Sequence, residues 1–388
     1  MPRNRKKQPS GGLPHDKGDP LDDESEVYEK VLQRLIDGTS HKSQQSRVSA
    51  YHKIYGCLVQ RYSPISLTER KVMLLESLKR SLGKGNEEEQ IWAARVIPLL
   101  AIQTETSEDV AALLKMVRPT MMDAMKGINS ETSNVRAMCC TGLAMLSFIS
   151  ENDTEEIMSV MQHLQAIAQR EKPGEDNGGL QAVVLRCWSL LLSVLPSKMI
   201  LKHMKSGNIL SPRNIIELLD STHLEVRIVS GETIALMHEL FHQHDPTLLQ
   251  HDLPSLLDTV RKLSTDAYRF QAKQGRKLQR ITFRDVLHYL QQNVVPLLRI
   301  KVGDETLLLH SWTMHVHYSA VKEMLGPALN IHLKDNPLIR DILKMDPKRM
   351  ESACAKRPAG RMTKKAEQRS NRATSKERSI RRGKERDN

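Results

Sequence analysis

The sequence predicts an all-α body, a solenoid of paired helices, followed by a small α+β C-terminal domain and a basic tail. Three observations predict it. Apolar residues recur at three- and four-residue spacing in blocks of about 14 to 20 residues, broken by Gly, Pro, Asn and Ser. The blocks themselves recur about every 45 residues. The apolar content is 39% but only 4% is aromatic, so the core rests on Leu, Ile, Val, Met and Ala, a palette that favours helices over sheets.

Residues 1–24 carry RNRKK, a Pro/Gly/Ser stretch and the acidic DPLDDE, too little apolar content to fold alone, and are expected to be disordered. The repeat domain is expected over 25–266. Its clearest internal match sets VRAMCCTGLAML from Val135 against VRIVSGETIALM from Val226, about two units of 45 apart. The same step meets QSRVSAYHKIYG from Gln45, QIWAARVIPLLA from Gln90 and LQAVVLRCWSLL from Leu180. Between them lie second helices such as LTERKVMLLESLKRSL from Leu67 and DTEEIMSVMQHLQAIAQR from Asp153. Two helices per 45 residues is the HEAT/armadillo period, in which one pair buries its apolar stripe only when neighbours stack on it. About five repeats are expected, with an irregular helical bundle as the alternative.

The character changes near Asp266. The stretch from Arg261 to Arg284 holds eight Lys or Arg and one acid, and 267–290 reads as a basic connecting segment. Then VVPLLRIKVGDETLLLHSW places a Gly303-Asp304 turn between β-branched and Leu-rich runs, the pattern of a hairpin. Short helices around Val316 to Leu325 and Pro337 to Leu343 complete a small domain over 291–348. The remainder, 349–388, is a basic tail, disordered or helical on binding, and from Lys356 onward it carries thirteen Lys or Arg against four acids. That one segment supplies most of the net charge of +12 and asks for an anionic partner.

Several function classes find no support. No Gly-x-Ser-x-Gly turn is present, and LGKGNEE at Leu82 lacks the phosphate-loop spacing. The five cysteines (Cys57, Cys139, Cys140, Cys187, Cys354) show no CxxC, and their odd number and the absence of a signal peptide point to the reducing cytoplasm or nucleus. No small-molecule substrate, cofactor, structural metal or membrane is called for, and no enzyme is expected. One motif stands against this, because HELFH places His238 and His242 four apart with Glu239 between them, the pattern of a zinc peptidase. Its third ligand is missing: the position six after His242 is Leu248, and no Glu occurs between His242 and Glu305. His244, Asp245, His251 and Asp258 leave a surface metal site open. The competing expectation puts both histidines at the end of a repeat helix, facing solvent beside its C-terminal dipole.

The C-terminal third carries a more specific signal. RKLQRITFRDVLHYL from Arg276, RIKVGDETLLLHSW from Arg299 and HYSAVKEMLGPALNIHLKDNPLIRDIL from His317 resemble the interferon-related developmental regulator family. The matching positions include Lys277, Arg280, Phe283, Arg284 and Asp285, then Trp312, Tyr318, Lys322, Glu323, Gly326, His332, Asn336 and Arg340. VRIVSGETIALM adds the family's Arg-x-x-x-Gly-Glu-x-x-Ala-Leu arrangement. The chain departs from the family at Val321, where an aromatic is usual, and at Pro327, Ala328 and Leu329. The resemblance implies a helical-repeat region joined to a small C-terminal domain, without HExxH. It also implies one of two roles: a factor on translationally inactive ribosomes with its basic C-terminal helix in the mRNA path, or a transcriptional co-regulator in differentiation that recruits proteins on its repeat surface. The ribosomal role makes rRNA the partner and the cations the site. These are Lys273, Arg276, Lys277, Arg280 and Arg284 beside the body, and Lys364, Lys365, Arg369, Arg372, Lys376, Arg378, Arg381, Arg382, Lys384 and Arg386 in the tail.

Overall fold

Six helices stack side by side as a ladder in a computed structural model that describes residues 20–64, 70–104, 106–129, 131–150, 154–170, 178–265 and 273–346. They are α2 (Gln44–Gln60), α4 (Glu87–Ile102), α6 (Ser133–Ile149), α8 (Gly178–Leu192), α11 (Leu224–Phe241) and α13 (Lys273–Gln292), each packed on the next. Flanking helices cover them: α1 (Pro20–Gly38), α3 (Lys71–Lys84), α5 (Ser107–Lys126), α7 (Thr154–Arg170), the short α9 (Ser197–Lys205) and α10 (Pro212–Glu217), and α12 (Leu253–Thr265). The sequence period is visible in space, because residues about 45 apart meet across adjacent rungs. The Gln103 amide donates to the Leu58 carbonyl at 2.9 Å. Thr132 donates to Glu87 at 2.8 Å, and the Ser189 and Thr233 hydroxyls lie 2.7 Å apart. The rungs therefore run parallel, in register. This is a HEAT/armadillo-like arrangement.

Local chemistry sets where the helices start. Asn86, Thr106 and Thr132 occupy N-cap positions and accept from the backbone N–H three residues on, satisfying donors that the helix cannot. Gly127, at φ 75°, closes α5 in the left-handed conformation. The ladder helices are apolar on most of their circumference, as befits rungs covered on several sides: α8 buries Leu180, Val184, Leu185, Trp188 and Leu191, among others.

Two expectations need correction. Residues 273–292, inside the stretch read as a connecting segment, form a sixth rung, with α12 as its flanking partner and Phe283, Val286 and Tyr289 in the core. The basic outer face and a longer step from the preceding rung concealed it. At the other end, α1 begins at Pro20 rather than after residue 24, with proline at a helix start, where its missing N–H costs nothing.

The hairpin is as the sequence predicts: β1 (Leu298–Val302) pairs antiparallel with β2 (Glu305–Leu309), joined at Gly303 with φ 61°. Then α14 (Trp312–Leu325) runs back along the ladder from α11 to α2, and α15 (Leu329–Asp335) and α16 (Pro337–Ile342) turn forward again past α2 and α4; α15 is an addition to the expected pair. They share one continuous core with the repeats, through Trp312, Leu325, Leu333 and Ile339. Their polar groups meet the C-terminal ends of successive rungs. Tyr55 of α2 donates to the Met324 carbonyl at 3.2 Å, and the buried His332 bonds the Val59 carbonyl at 2.9 Å. Asn336 reaches the Ile102 carbonyl of α4 at 2.8 Å. Farther along, His317 lies 2.8 Å from Ser193, just past α8, and meets the ring of Phe148 of α6 at 4.8 Å, tilted by 60°.

Asn336 works on both sides, because its carbonyl oxygen also accepts from Ile339 N–H and caps α16. Asn336→Ala is expected to lower stability by ~1–3 kcal/mol, since it orphans a buried carbonyl and a helix start together. A drop in the urea midpoint at unchanged helicity checks this; an unchanged midpoint contradicts it.

Candidate nucleic-acid interface

The cationic residues of α13 owe their placement to how that helix is held. Arg227 of α11 is buried and donates to the Ser221 and Thr222 carbonyls at 2.6 and 3.0 Å and to Gln279 of α13 at 2.9 Å. Gln279 in turn donates to the Leu263 carbonyl of α12 at 3.2 Å. Four residues on, Gly231 lets α13 come close: a Cβ there would sit 2.8 Å from the ring of the fully buried Phe283. The Arg-x-x-x-Gly spacing seen in the sequence is thus the seat of α13, with Gln279 and Phe283 turned inward one helical turn apart.

With those residues inside, the helix turns Lys273, Lys277 and Arg284 to solvent and leaves Arg276 and Arg280 half-buried. Leu278 and Ile281 are exposed among them, at 52% and 46%. The one acid on α13, Asp285, directly follows Arg284 and is half-buried; burial raises its pKa, while His315 and His288 oppose the rise. The five sequence-predicted cations of the body therefore share one helix, three of them fully outward. The tail cations from Lys364 to Arg386 lie outside the described residues.

HELFH closes α11, as expected of a repeat helix, but does not face solvent throughout. His238 and His242 stack at 4.6 Å, His238 meets the Tyr289 ring edge-on at 5.4 Å, and its Nδ1 is buried without a hydrogen-bond partner among the described residues. Burial, then His242, lower the His238 pKa. Glu239 turns away to the start of α14. Its carboxylate accepts from Trp312 N–H at 2.6 Å, Thr313 N–H at 2.9 Å and the Thr313 hydroxyl at 2.7 Å. Both oxygens are engaged at a helix N-terminus, where negative charge is favoured, so Glu239 is not poised to activate water. Among the described residues, no group of three or more His, Cys, Asp or Glu is placed to hold a metal ion, and no helix is long and apolar enough to cross a membrane.

Sequence reasoning missed the role of Glu232, next to the close-approach glycine. Burial pushes its carboxyl up to about 7, with Arg186 of α8 pulling the other way. Arg186 itself faces Glu323 of α14 at 3.6 Å. The signal was present as a Gly-Glu pair in an otherwise apolar rung, yet only the packing of α8, α11 and α14 shows what surrounds it.

Residues 6–291 match the family described as interferon-related developmental regulator, and 336–388 match the interferon-related protein conserved region. The chain is 29% identical over 342 residues to interferon-related developmental regulator 2 of Mus musculus, covering 85% of this chain and 76% of that protein. It is also 29% identical to interferon-related developmental regulator 1 of Homo sapiens, over 84% of this chain and 74% of the relative. A designed armadillo repeat protein aligns over 66% of this chain and 99% of its own, at 13% identity and a TM-score of 0.41.

Two measurements probe these contacts. Glu239→Ala is expected to destabilise the chain by ~1–3 kcal/mol through the start of α14, leaving two backbone donors without their acceptor; chemical denaturation reads it, and a neutral result contradicts the capping role. For Glu232, the folded value of about 7 lies above the ordinary 4.5. The fold therefore favours the protonated form: its contribution is complete at low pH and is lost as pH rises through about 7. Glu232→Gln, neutral at every pH, should be more stable than the parent at pH ~8 and should lack that decline; parallel stability profiles for the two proteins rule it out.

Proposed function

The chain belongs to the interferon-related developmental regulator family, and from that premise we propose that it is a non-enzymatic ribosome-binding regulator of translation. The repeat ladder is the scaffold. The basic face of α13 contacts rRNA, and the tail from Lys356 onward enters an mRNA or tRNA path and occludes it. The observation that carries this reading is the charge: Lys273, Lys277 and Arg284 point outward from one rung, and thirteen more Lys or Arg follow in the tail. Cations arrayed in this way neutralise backbone phosphates, release counterions and bind with little sequence selectivity. Occlusion needs no catalytic group, which accords with a Glu239 committed to a helix cap. The site of action is the cytoplasm, and KRPAGRMTKK and RSIRRGKER suit entry to the nucleus as well.

A second reading, a nuclear transcriptional co-regulator in differentiation, takes support from a different surface. A cavity of about 370 Å³ between α3, α4 and α5 is lined by Val72, Leu75, Leu100, Leu113 and Met116, a mainly apolar seat for a protein partner.

Deleting residues 356–388 and repeating ribosome co-sedimentation at low and moderate salt tests the first reading. Binding should weaken by an order of magnitude or more and become less salt-dependent. Unchanged sedimentation rejects it, and partners that co-purify with the chain after RNase treatment favour the second.

A further inference from the structure

The flanking layer is interrupted between α8 and α11, where two short helices replace the single long one. The first of them, α9, buries Ile200, Leu201 and Met204 and turns Lys198, Lys202 and Lys205 to solvent at i, i+4 and i+7, one helical face. Among the described flanking helices it alone has no acidic residue. The loop after α11 brings His244 to the same place, and these groups line an open cavity of about 450 Å³ that contains no carboxylate. Lys205 is engaged by Asp245 at 3.0 Å, whereas Lys198 and Lys202 have no acidic partner among the described residues.

We propose that this cavity is a second phosphate-binding surface, which with α13 seats one structured RNA; it rests on the ribosomal reading above. Two features select RNA over an acidic protein. The outward face of α9 exposes no large apolar side chain, so it lacks the desolvated anchors on which protein interfaces depend. Lysine ammonium groups at helical spacing are point charges suited to sequence-independent phosphate contact. Distance adds a separate argument. The beginning of α13 meets the beginning of α11, where Gly275 approaches Leu224, while Asp245 and its partner Lys205 lie past the end of α11. The beginning of α13, with Lys273, is thus about the length of that 18-residue helix from Lys205, roughly 27 Å at 1.5 Å per residue, while Arg284 lies nearer along the same helix. A nucleotide or a free phosphate does not bridge that span, and a folded RNA does.

The test uses the full chain with Lys198→Gln and Lys202→Gln, leaving the Lys205–Asp245 pair intact. Binding to an RNA duplex and to poly-L-glutamate is titrated by fluorescence anisotropy across salt, with circular dichroism confirming the fold. Two lost phosphate contacts should lower the slope of log affinity against log salt by about 1.5 and weaken RNA binding about tenfold at low salt, with no change on poly-L-glutamate. An unchanged RNA slope overturns the proposal, as does an effect confined to poly-L-glutamate. Replacing Lys364 and Lys365 with Gln serves as the control. A slope that falls there but not in the α9 variant refutes this surface alone, while a parent chain that binds neither RNA nor ribosomes refutes the ribosomal reading with it.

Discussion

Every α-helix ends with carbonyls that its own backbone cannot satisfy, and a parallel ladder collects those ends along one edge. The rest of this structure depends on how that edge is covered. Gln103 serves two carbonyls of the preceding rung, Leu58 and Arg61, and so links one repeat to the next. His332 and Asn336 serve Val59 and Ile102 from the C-terminal helices, and Asn336 also bonds His332 at 3.3 Å. The imidazole has to donate to Val59 through Nε2, so Nδ1 accepts from the Asn336 amide and the ring is neutral. Burial, which lowers the His332 pKa, works in the same direction. Without side-chain donors along the edge, buried carbonyls would stand unpaired at a cost of about 1–3 kcal/mol each.

The repeat period was legible because core burial imposes it directly on the sequence: each rung must be apolar, and rungs recur at the length of one helix pair. The sixth rung was less legible for an equally physical reason. Among the described residues no further rung covers its outer side, so Lys277 and Arg284 face solvent, and the basic composition hides Phe283, Val286 and Tyr289 beneath. The hairpin could be read because Gly303-Asp304 is local chemistry. The partners of Glu239 could not, since Trp312 and Thr313 lie more than seventy residues away and nothing local to α11 encodes them.

The same contrast divides the candidate site. The outward cations of α13 could be identified from their spacing, yet the reason for their direction lies in Arg227, Gly231 and Gln279, whose roles appear only when α11 and α13 are placed side by side. A motif that reads as a family signature is, in physical terms, a close-packing solution. A buried guanidinium anchors both neighbours, and a missing side chain admits a phenyl ring. HELFH yields to similar logic, since its central carboxylate is turned to another helix and its histidines are left as a stacked pair.

A repeat array in which each unit touches only its neighbours can lose units from either end, one at a time. Here α14 to α16 contact α2, α4, α6, α8 and α11, so residues separated by more than 200 positions, such as Tyr55 and Met324 or Val59 and His332, are joined. That return path couples the first rungs to the last. Fraying of the first pair exposes part of the C-terminal core, and the ladder between Gln44 and Phe241 is held as a cooperative whole instead of a sum of neighbours. Such long-range closure also raises the mean sequence separation of contacts, which places this chain among slower folders than its helical content alone would suggest. A scaffold of this kind presents its charged surfaces at fixed distances from one another, because the element that would let them drift apart is tied at both ends.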